Sequence, residues 1–281
     1  MTVLERLRTV PNWMLLSLAM NGLLFMAVLF GLRNHQTAPR PNGSVLPQAS
    51  ASAAIEAPAA GLMPVVAAGD RQYLDYQQWV ALLRQEAIAH QNAPRLTVLI
   101  GDSISLWFPQ NQLPGRRTWL NQAISGENSD LLLSRLDALD NAQVESIFLM
   151  VGINDLIAGQ PEGQVTENVA RAVRYLKAQH PDADIVVQSI LPHGAENATW
   201  EGRDRLLLLP NDRIQAVNGA LATLAQQEDV YFLNLYPLFA NGEGALRPDL
   251  TTDGLHLNDR GYLVWRTAIA LLLTAELGDE G

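Results

Sequence analysis

Four short polar segments of this 281-residue chain carry the residue types that nucleophilic catalysis requires. In chain order they read "GDS" at 101–103, "SGE" at 125–127, "GIND" at 152–155 and "DGLH" at 253–256. A serine hydroxyl becomes a nucleophile when a histidine accepts its proton and a carboxylate orients that histidine. Ser103, His256 and Asp253 are the candidates for these three roles.

The spacing within and between these segments predicts how the groups would work together. Asp253 and His256 are three positions apart, so within one turn of backbone the carboxylate can reach the imidazole Nδ1–H while Nε2 points outward. Gly126 has no side chain, so its N–H can approach a ligand closely, and Asn154 offers a side-chain NH2 donor. Together with the backbone N–H of Ser103, these groups predict an oxyanion hole with three donors.

The four segments are useful only if the fold brings them to one place. Apolar runs predict strands at 96–100, 119–124, 146–151, 184–191 and 230–235, and amphipathic stretches predict helices at 73–91, 129–139, 165–180, 210–227 and 259–277. Apolar runs without strict alternation, separated by helices, predict a parallel sheet covered on both faces. The expected fold is therefore an α/β three-layer sandwich, whose site lies at the carboxyl ends of the strands.

The four segments, in this order and at or after predicted strands, resemble the SGNH or GDSL-type hydrolase family. The resemblance covers about residues 95–270 and implies a flavodoxin-like α/β/α fold with a five-stranded parallel sheet and a serine esterase activity. The site residues that it implies are Ser103 as nucleophile, His256 as base, Asp253 as its orienting carboxylate, and Ser103 N–H, Gly126 N–H and Asn154 as the oxyanion hole.

Two positions depart from the family pattern, and a third separates the chain from another hydrolase class. Ile104 stands where leucine usually follows the serine, and Ala123 stands where many members have a second glycine. A G-x-S-x-G nucleophile elbow would need glycine at position 105, which is Ser105 here. The motif of the α/β-hydrolases is therefore not present.

Several of these residues also have a purely structural interpretation. Taken alone, the Gly-Asp-Ser triplet is an ordinary turn sequence, and both Asp102 and Asp155 are expected to brace loops. His193 follows the fourth predicted strand and is the alternative base. The long connection 196–213 is either a lid or wall of the substrate site or irregular packing, and Trp107 and Trp200 lie near predicted loops.

The N-terminal quarter of the chain predicts a membrane attachment. The apolar run from Trp13 to Leu32 would span about 30 Å as a helix, which matches the hydrocarbon thickness of a bilayer. Residues 1–33 are therefore expected to be an uncleaved, single-pass anchor, with the bulk of the chain outside the cytoplasm. Residues 34–70 are rich in Ala, Pro and Ser and predict a disordered tether, which leaves 71–281 as the hydrolase domain.

Composition excludes several other functions. The formal net charge of -10 disfavours binding to nucleic acid, because an acidic chain repels phosphate. The chain has no cysteine, which excludes disulfides, thiolate catalysis and cysteine-based zinc sites. No His, Asp and Glu set has metal-ligand spacing, so neither a metal nor a cofactor is expected.

The sequence thus predicts a membrane-tethered serine esterase. Its expected partners are a small acyl-ester substrate, such as a glycan O-acetyl group or a lipid ester, and the membrane itself. An O-acyltransferase that uses the same acyl-enzyme is one alternative. A non-catalytic module that binds a glycan in an esterase-like cleft is another, because a fold alone does not establish a function.

Overall fold

The computed structural model describes residues 74–278. The predicted anchor at 1–33 and the predicted tether at 34–70 lie outside the described residues, as do residues 279–281. Between residues 74 and 278, no helix combines the length and the apolar character needed to cross a bilayer.

The described part of the chain contains the predicted parallel, five-stranded sheet. Its strands are β1 (Leu96–Gly101), β2 (Thr118–Asn121), β3 (Val144–Met150), β4 (Asp184–Gln188) and β5 (Tyr231–Leu233), in the spatial order β2-β1-β3-β4-β5. The chain first moves outward from β1 to β2 and then reverses toward β5. Since crossovers between parallel strands are right-handed, this reversal places helices on both faces. β1 is accordingly buried along its whole length.

The helices form the two outer layers around this sheet. They are α1 (Tyr76–His90), α2 (Ser103–Leu106), α3 (Ser129–Leu133), α4 (Ile153–Ile157), α5 (Glu162–Gln179), α6 (Arg203–Leu207), α7 (Asn211–Gln227), α8 (Tyr236–Phe239) and α9 (Asp259–Ala275). Helix α5 packs between α3 and α7 on one face. Helix α9 packs against β5 and the 3-10 turn Gln110–Gln112 on the other.

The predicted helix over 129–139 is interrupted, so that prediction is wrong in its second half. Helix α3 ends at Leu133, and a separate 3-10 turn follows at Leu136–Leu139. At the break, the Ser134 hydroxyl donates to the Leu131 carbonyl at 2.7 Å. The next side chain, Arg135, turns into the interior and is only 4% exposed, because its charge is paired there.

Three strands are shorter than predicted. β2, β4 and β5 end at residues 121, 188 and 233 instead of 124, 191 and 235. Beyond β4, the N–H and carbonyl of Ile190 both pair with the side-chain amide of Asn218 at 2.8 Å. The Ser189 hydroxyl oxygen accepts the N–H of Leu235 at 2.8 Å. The Ser189 N–H still donates to the Leu233 carbonyl at 3.1 Å, and beyond that bond the backbone after both strands pairs with side chains.

Helix α9 ties the end of the described chain to α2. Trp265 is fully buried, with its ring centroid 5.0 Å from that of Phe108, and its indole N–H donates to Gln188 at 2.7 Å. The Tyr262 hydroxyl donates to the carbonyl of Ile104 at 3.0 Å. These contacts fix the short helix that begins at Ser103.

Candidate active site

Ser103 lies directly after β1, as the first residue of α2. The Asp102 carboxylate caps this helix by accepting the N–H of Ile104 at 3.0 Å. A Cβ on Gly101 would lie 2.3 Å from the Met150 carbonyl oxygen and 2.5 Å from Ser105 Oγ. Only glycine fits at that position, so the Gly-Asp-Ser sequence sets both the tight strand end and the position of the serine.

The fold brings Ser103 to His256 across more than half the length of the chain. Ser103 Oγ lies 3.0 Å from His256 Nε2, and His256 Nδ1 lies 2.7 Å from Asp253 Oδ2. The carboxylate accepts the Nδ1–H, so Nε2 is the nitrogen that can accept the serine proton. Ser103 and His256 are each only 7% exposed. This arrangement can transfer the Ser103 proton to the imidazole and hold the resulting positive charge beside a carboxylate.

The loop that carries Asp253 and His256 keeps the carboxylate ionised. Asp253 Oδ1 accepts the backbone N–H groups of Leu255 and His256 at 2.9 and 2.8 Å. Burial by itself would raise the pKa of the Asp253 carboxyl. The hydrogen bonds from the His256 side chain and from these two N–H groups outweigh burial, so the pKa lies below its ordinary value.

The first part of the long connection between β4 and α7 braces this loop from outside. The N–H groups of Thr199 and Trp200 both donate to the backbone carbonyl of Asp253, at 2.7 and 2.9 Å. Gly254 has a φ of +87°, and a Cβ there would lie 2.5 Å from Ala198 Cα. We call Asp253, His256 and segment 194–200 the aspartate–histidine side. The connection predicted as a lid or wall thus has a bracing contact on this side.

The strands on either side of β1, β2 and β3, lead to what we call the glycine–asparagine side, formed by Gly126, Glu127, Arg135 and Asn154. Asn154, on α4, donates its Nδ2–H to the carbonyl of Glu127 at 3.0 Å, which fixes the amide beside the Gly126–Glu127 turn. A primary amide has two N–H bonds, so one donor remains. Gly126 has a φ of +75°, and a Cβ built there meets no atom within 4 Å. The space that a side chain would occupy at this position is therefore open.

Sequence reasoning missed the ion pair that supports the glycine–asparagine side. Arg135 pairs with Glu127 through two hydrogen bonds, and Arg135 Nε lies 2.6 Å from Glu127 Oε1. Their side chains are 4% and 0% exposed. Arg135 also donates to the Gln122 carbonyl at 2.7 Å, and the Tyr76 hydroxyl donates to Glu127 at 3.2 Å. The only signal in the sequence was a glutamate beside the glycine, which reads equally well as a surface residue.

Asp155 braces the start of α3, as expected for a structural carboxylate. It accepts the backbone N–H of Ser129 at 2.9 Å and its hydroxyl at 2.5 Å. Asn168 on α5 donates to the same Ser129 hydroxyl oxygen at 2.9 Å. Asp155 therefore fixes α4, which carries Asn154, to α3.

Asp102 has the same kind of structural role but a less usual ionisation. Its carboxyl is 1% exposed, and burial raises its pKa to about 7, against the hydrogen bond from Ile104 N–H. The negative charges of Glu127 and Asp155 contribute in the same direction. The carboxyl next to Ser103 is thus poised between its neutral and ionised forms near neutral pH.

His193, the alternative base, is fully engaged elsewhere. Its Nδ1 accepts the N–H of Ala195 at 3.0 Å, so its Nε2–H donates to the carbonyl of Leu209 at 2.6 Å. Burial lowers the pKa of this imidazole and keeps it neutral. His193 therefore holds the connection between β4 and α7 in place, and neither ring nitrogen is free to activate Ser103.

Trp107 was one of two tryptophans expected near loops, and it lies against the site. Its ring centroid is 4.3 Å from that of His256, with the planes tilted by 37°. The side chain is half exposed. Trp200, the other, packs under the guanidinium of Arg205 at 5.1 Å. Within residues 74–278, no group of three or more His, Asp and Glu side chains has the arrangement of a metal site.

Comparison with known proteins gives one family and consistent relatives. Residues 99–264, more than half of the chain, match the GDSL-like Lipase/Acylhydrolase family. Platelet-activating factor acetylhydrolase IB subunit alpha1 of Bos taurus is 26% identical over 211 residues, which is 73% of this chain and 86% of that protein. The isoamyl acetate-hydrolyzing esterase of Saccharomyces cerevisiae is 27% identical over 134 residues, which is 44% of this chain and 54% of that protein. A Streptococcus pneumonia structure described as a candidate platelet activating factor has a TM-score of 0.63 at 28% identity, covering 69% of this chain and 90% of that one.

Proposed function

The chain belongs to the GDSL-like lipase/acylhydrolase family, and from that premise we propose a serine esterase that hydrolyses short acyl esters through an acyl-enzyme on Ser103. Family membership supports the hydrolysis of ester bonds as such. One observation carries the mechanism: Ser103 Oγ is 3.0 Å from His256 Nε2, and His256 Nδ1 is 2.7 Å from Asp253. Serine, imidazole and carboxylate stand in the order that activates a hydroxyl.

In the acylation step, Ser103 Oγ attacks the ester carbonyl while its proton moves to His256 Nε2. Asp253 stabilises the imidazolium that forms, because its carboxylate is ionised. Negative charge develops on the former carbonyl oxygen. The N–H groups of Ser103 and Gly126 and the remaining amide N–H of Asn154 are the proposed donors to it. The tetrahedral intermediate collapses as the bond to the alcohol oxygen breaks, and His256 gives its proton to that oxygen.

In the deacylation step, water replaces the alcohol. His256 takes a proton from the water, whose oxygen attacks the acyl carbon. The bond between that carbon and Ser103 Oγ breaks, and the proton on His256 returns to the serine. The products are a carboxylic acid and the free enzyme, so neither step requires a cofactor.

The names of two relatives favour an acetyl group as the acyl part. One is a platelet-activating factor acetylhydrolase subunit and the other is an isoamyl acetate-hydrolyzing esterase. Both names contain the acetyl group as the part that is released. We therefore infer that short O-acyl esters, with acetate first among them, are the substrates.

We also propose that the enzyme works from a membrane surface outside the cytoplasm. The support is the apolar run between Trp13 and Leu32, followed by the Ala-, Pro- and Ser-rich stretch 34–70 before the hydrolase domain. Protease protection of the full chain in membrane vesicles of known orientation tests this. Digestion of the hydrolase domain from the non-cytoplasmic face is expected, and digestion only from the cytoplasmic face would contradict it.

Hydrolysis of ethyl acetate by the full chain, purified in mild detergent, tests the proposed chemistry. Ser103→Ala is expected to remove the activity. Ser105→Ala is the matched control, because that serine lies two residues away in α2, is fully buried and has an Oγ without a hydrogen-bond partner in the described chain. Activity that survives in Ser103→Ala, or a folded wild-type protein without activity on short esters, would contradict the proposal.

A further inference from the structure

The indole of Trp107 is a large aromatic surface left half exposed beside the reacting groups. Its exposed fraction is 50%, whereas Trp119 and Trp265 are 7% and 0% exposed. Its ring lies against the His256 imidazole, with centroids 4.3 Å apart and planes tilted by 37°. The contact with His256 covers part of the indole, and half of the Trp107 surface is exposed to solvent.

The chemistry of ester cleavage gives that surface a position relative to the substrate. His256 Nδ1 is hydrogen-bonded to Asp253 and His256 Nε2 to Ser103, so both ring nitrogens have a partner that fixes the orientation of the imidazole. In the step that breaks the ester, Nε2 carries the proton that it took from Ser103 and must donate it to the departing alcohol oxygen. The alcohol therefore departs along the imidazole, next to the indole that lies against it. The carbonyl oxygen points instead to the glycine–asparagine side.

We propose that the exposed face of Trp107 is the alcohol subsite, and that it selects esters whose alcohol part carries a ring with a face that can stack on the indole. This inference rests on the proposed esterase function. A ring with a π face or an axial C–H face stacks on an indole, whereas a short alkyl chain covers little of it. The ligand class is thus the ester of a ring-bearing alcohol, aromatic or pyranose, with a short acyl group.

A merely structural Trp107 would behave differently. If the indole served only to hold His256, its loss would slow every ester by the same factor. The backbone of Trp107 contributes separately, since its N–H donates to the Ser103 carbonyl at 3.1 Å and remains after truncation of the side chain. The ratio of rates for two alcohols therefore separates a subsite from a positioning role.

The test compares benzyl acetate with ethyl acetate, two esters with the same acyl group and with alcohols of similar acidity. Because both give the same acetyl-enzyme, the ratio of their kcat/KM values reports on acylation and the alcohol subsite alone. In Trp107→Ala the benzyl-to-ethyl ratio is expected to fall about tenfold, the size of a stacking contact. Trp107→Phe keeps a ring and is expected to restore most of the ratio.

Two controls limit the interpretation. Leu271→Ala truncates another exposed apolar side chain, 65% exposed on α9, and is expected to leave the ratio unchanged. The ratio for ethyl butyrate and ethyl acetate, which varies the acyl part, is expected to be the same in Trp107→Ala and wild type. An unchanged benzyl-to-ethyl ratio in Trp107→Ala would overturn the subsite while leaving the esterase intact. A wild-type chain inactive on both esters would overturn the proposed function, and the subsite with it.

Discussion

The two sides of Ser103 are built on different physical principles. On the aspartate–histidine side, short-range backbone hydrogen bonds around Asp253 hold the groups, and small residues such as Gly254 and Ala198 allow the segments to approach closely. On the glycine–asparagine side, a buried ion pair between Glu127 and Arg135 supports the turn. A buried pair is costly to break, because the remaining charge has neither water nor a partner. Substitutions on the aspartate–histidine side should therefore lower mainly the catalytic rate. Substitutions on the glycine–asparagine side should lower both the catalytic rate and the free energy of unfolding.

The largest expected effect is a chemical loss on the aspartate–histidine side. In His256→Ala, Ser103 has no group to accept its proton, and kcat is expected to fall roughly 10⁶-fold. Stability should change little by comparison. Ester hydrolysis and urea unfolding on the same samples check this, with His90→Ala at the end of α1 as the matched histidine control. A fall below a hundredfold would mean that another group activates the serine.

The next effect is a loss of stability on the glycine–asparagine side. Arg135→Met leaves the Glu127 carboxylate buried without its ion partner, and the free energy of unfolding is expected to fall by about 3–5 kcal/mol. Arg84→Met is the matched control, because Arg84 pairs with Asp137 at the surface with side chains 40% and 50% exposed. It should cost less than about 1 kcal/mol.

Urea unfolding at neutral pH measures both variants. Equal costs for Arg135→Met and Arg84→Met would remove the distinction drawn between the two sides. A double variant, Glu127→Gln with Arg135→Met, removes the stranded charge and is expected to recover part of the loss.

Asn154→Ala sharpens the comparison, because it removes one proposed donor without stranding a charge. The expected result is a loss of about 10²- to 10³-fold in kcat, since the developing oxyanion loses one hydrogen bond. Asn92→Ala, an exposed asparagine before β1, is the control. The kcat values of the two variants for ester hydrolysis test this. Equal kcat values for Asn154→Ala and Asn92→Ala would exclude Asn154 from the oxyanion hole.

The smallest expected effect concerns Asp102, which directly precedes Ser103. Its folded pKa of about 7 is above the ordinary value of 3.8, so the folded chain holds a proton that the unfolded chain releases. The contribution of protonated Asp102 to the free energy of unfolding is therefore lost as the pH rises from about 4 to 7. Asp102→Asn keeps a cap oxygen but cannot ionise. Its free energy of unfolding relative to wild type is expected to grow over that pH range and then level off. Urea titrations between pH 4.5 and 8 test this, and parallel pH profiles would contradict it.

The two sides also differ in how far the sequence predicted them. The strand-end position of Ser103, the three-residue spacing of Asp253 and His256, the parallel sheet and the family are all readable from local patterns, and the sheet and family predictions are confirmed. The Glu127–Arg135 pair was not predicted, because the pattern over 129–139 indicates one continuous amphipathic helix. Only the fold shows that the helix breaks and turns Arg135 inward. The Glu127–Arg135 contact depends on a break in the helix, and the hydrophobic periodicity of the sequence does not mark that break.

The most direct test of an activated Ser103 is its labelling by a fluorophosphonate, with intact mass and peptide mapping of the full chain. One adduct is expected, located on Ser103, absent from Ser103→Ala and formed much more slowly in His256→Ala. Ser105→Ala should label like wild type. No adduct on the folded wild-type chain, or an adduct on another residue, would contradict the assignment of Ser103 as the nucleophile.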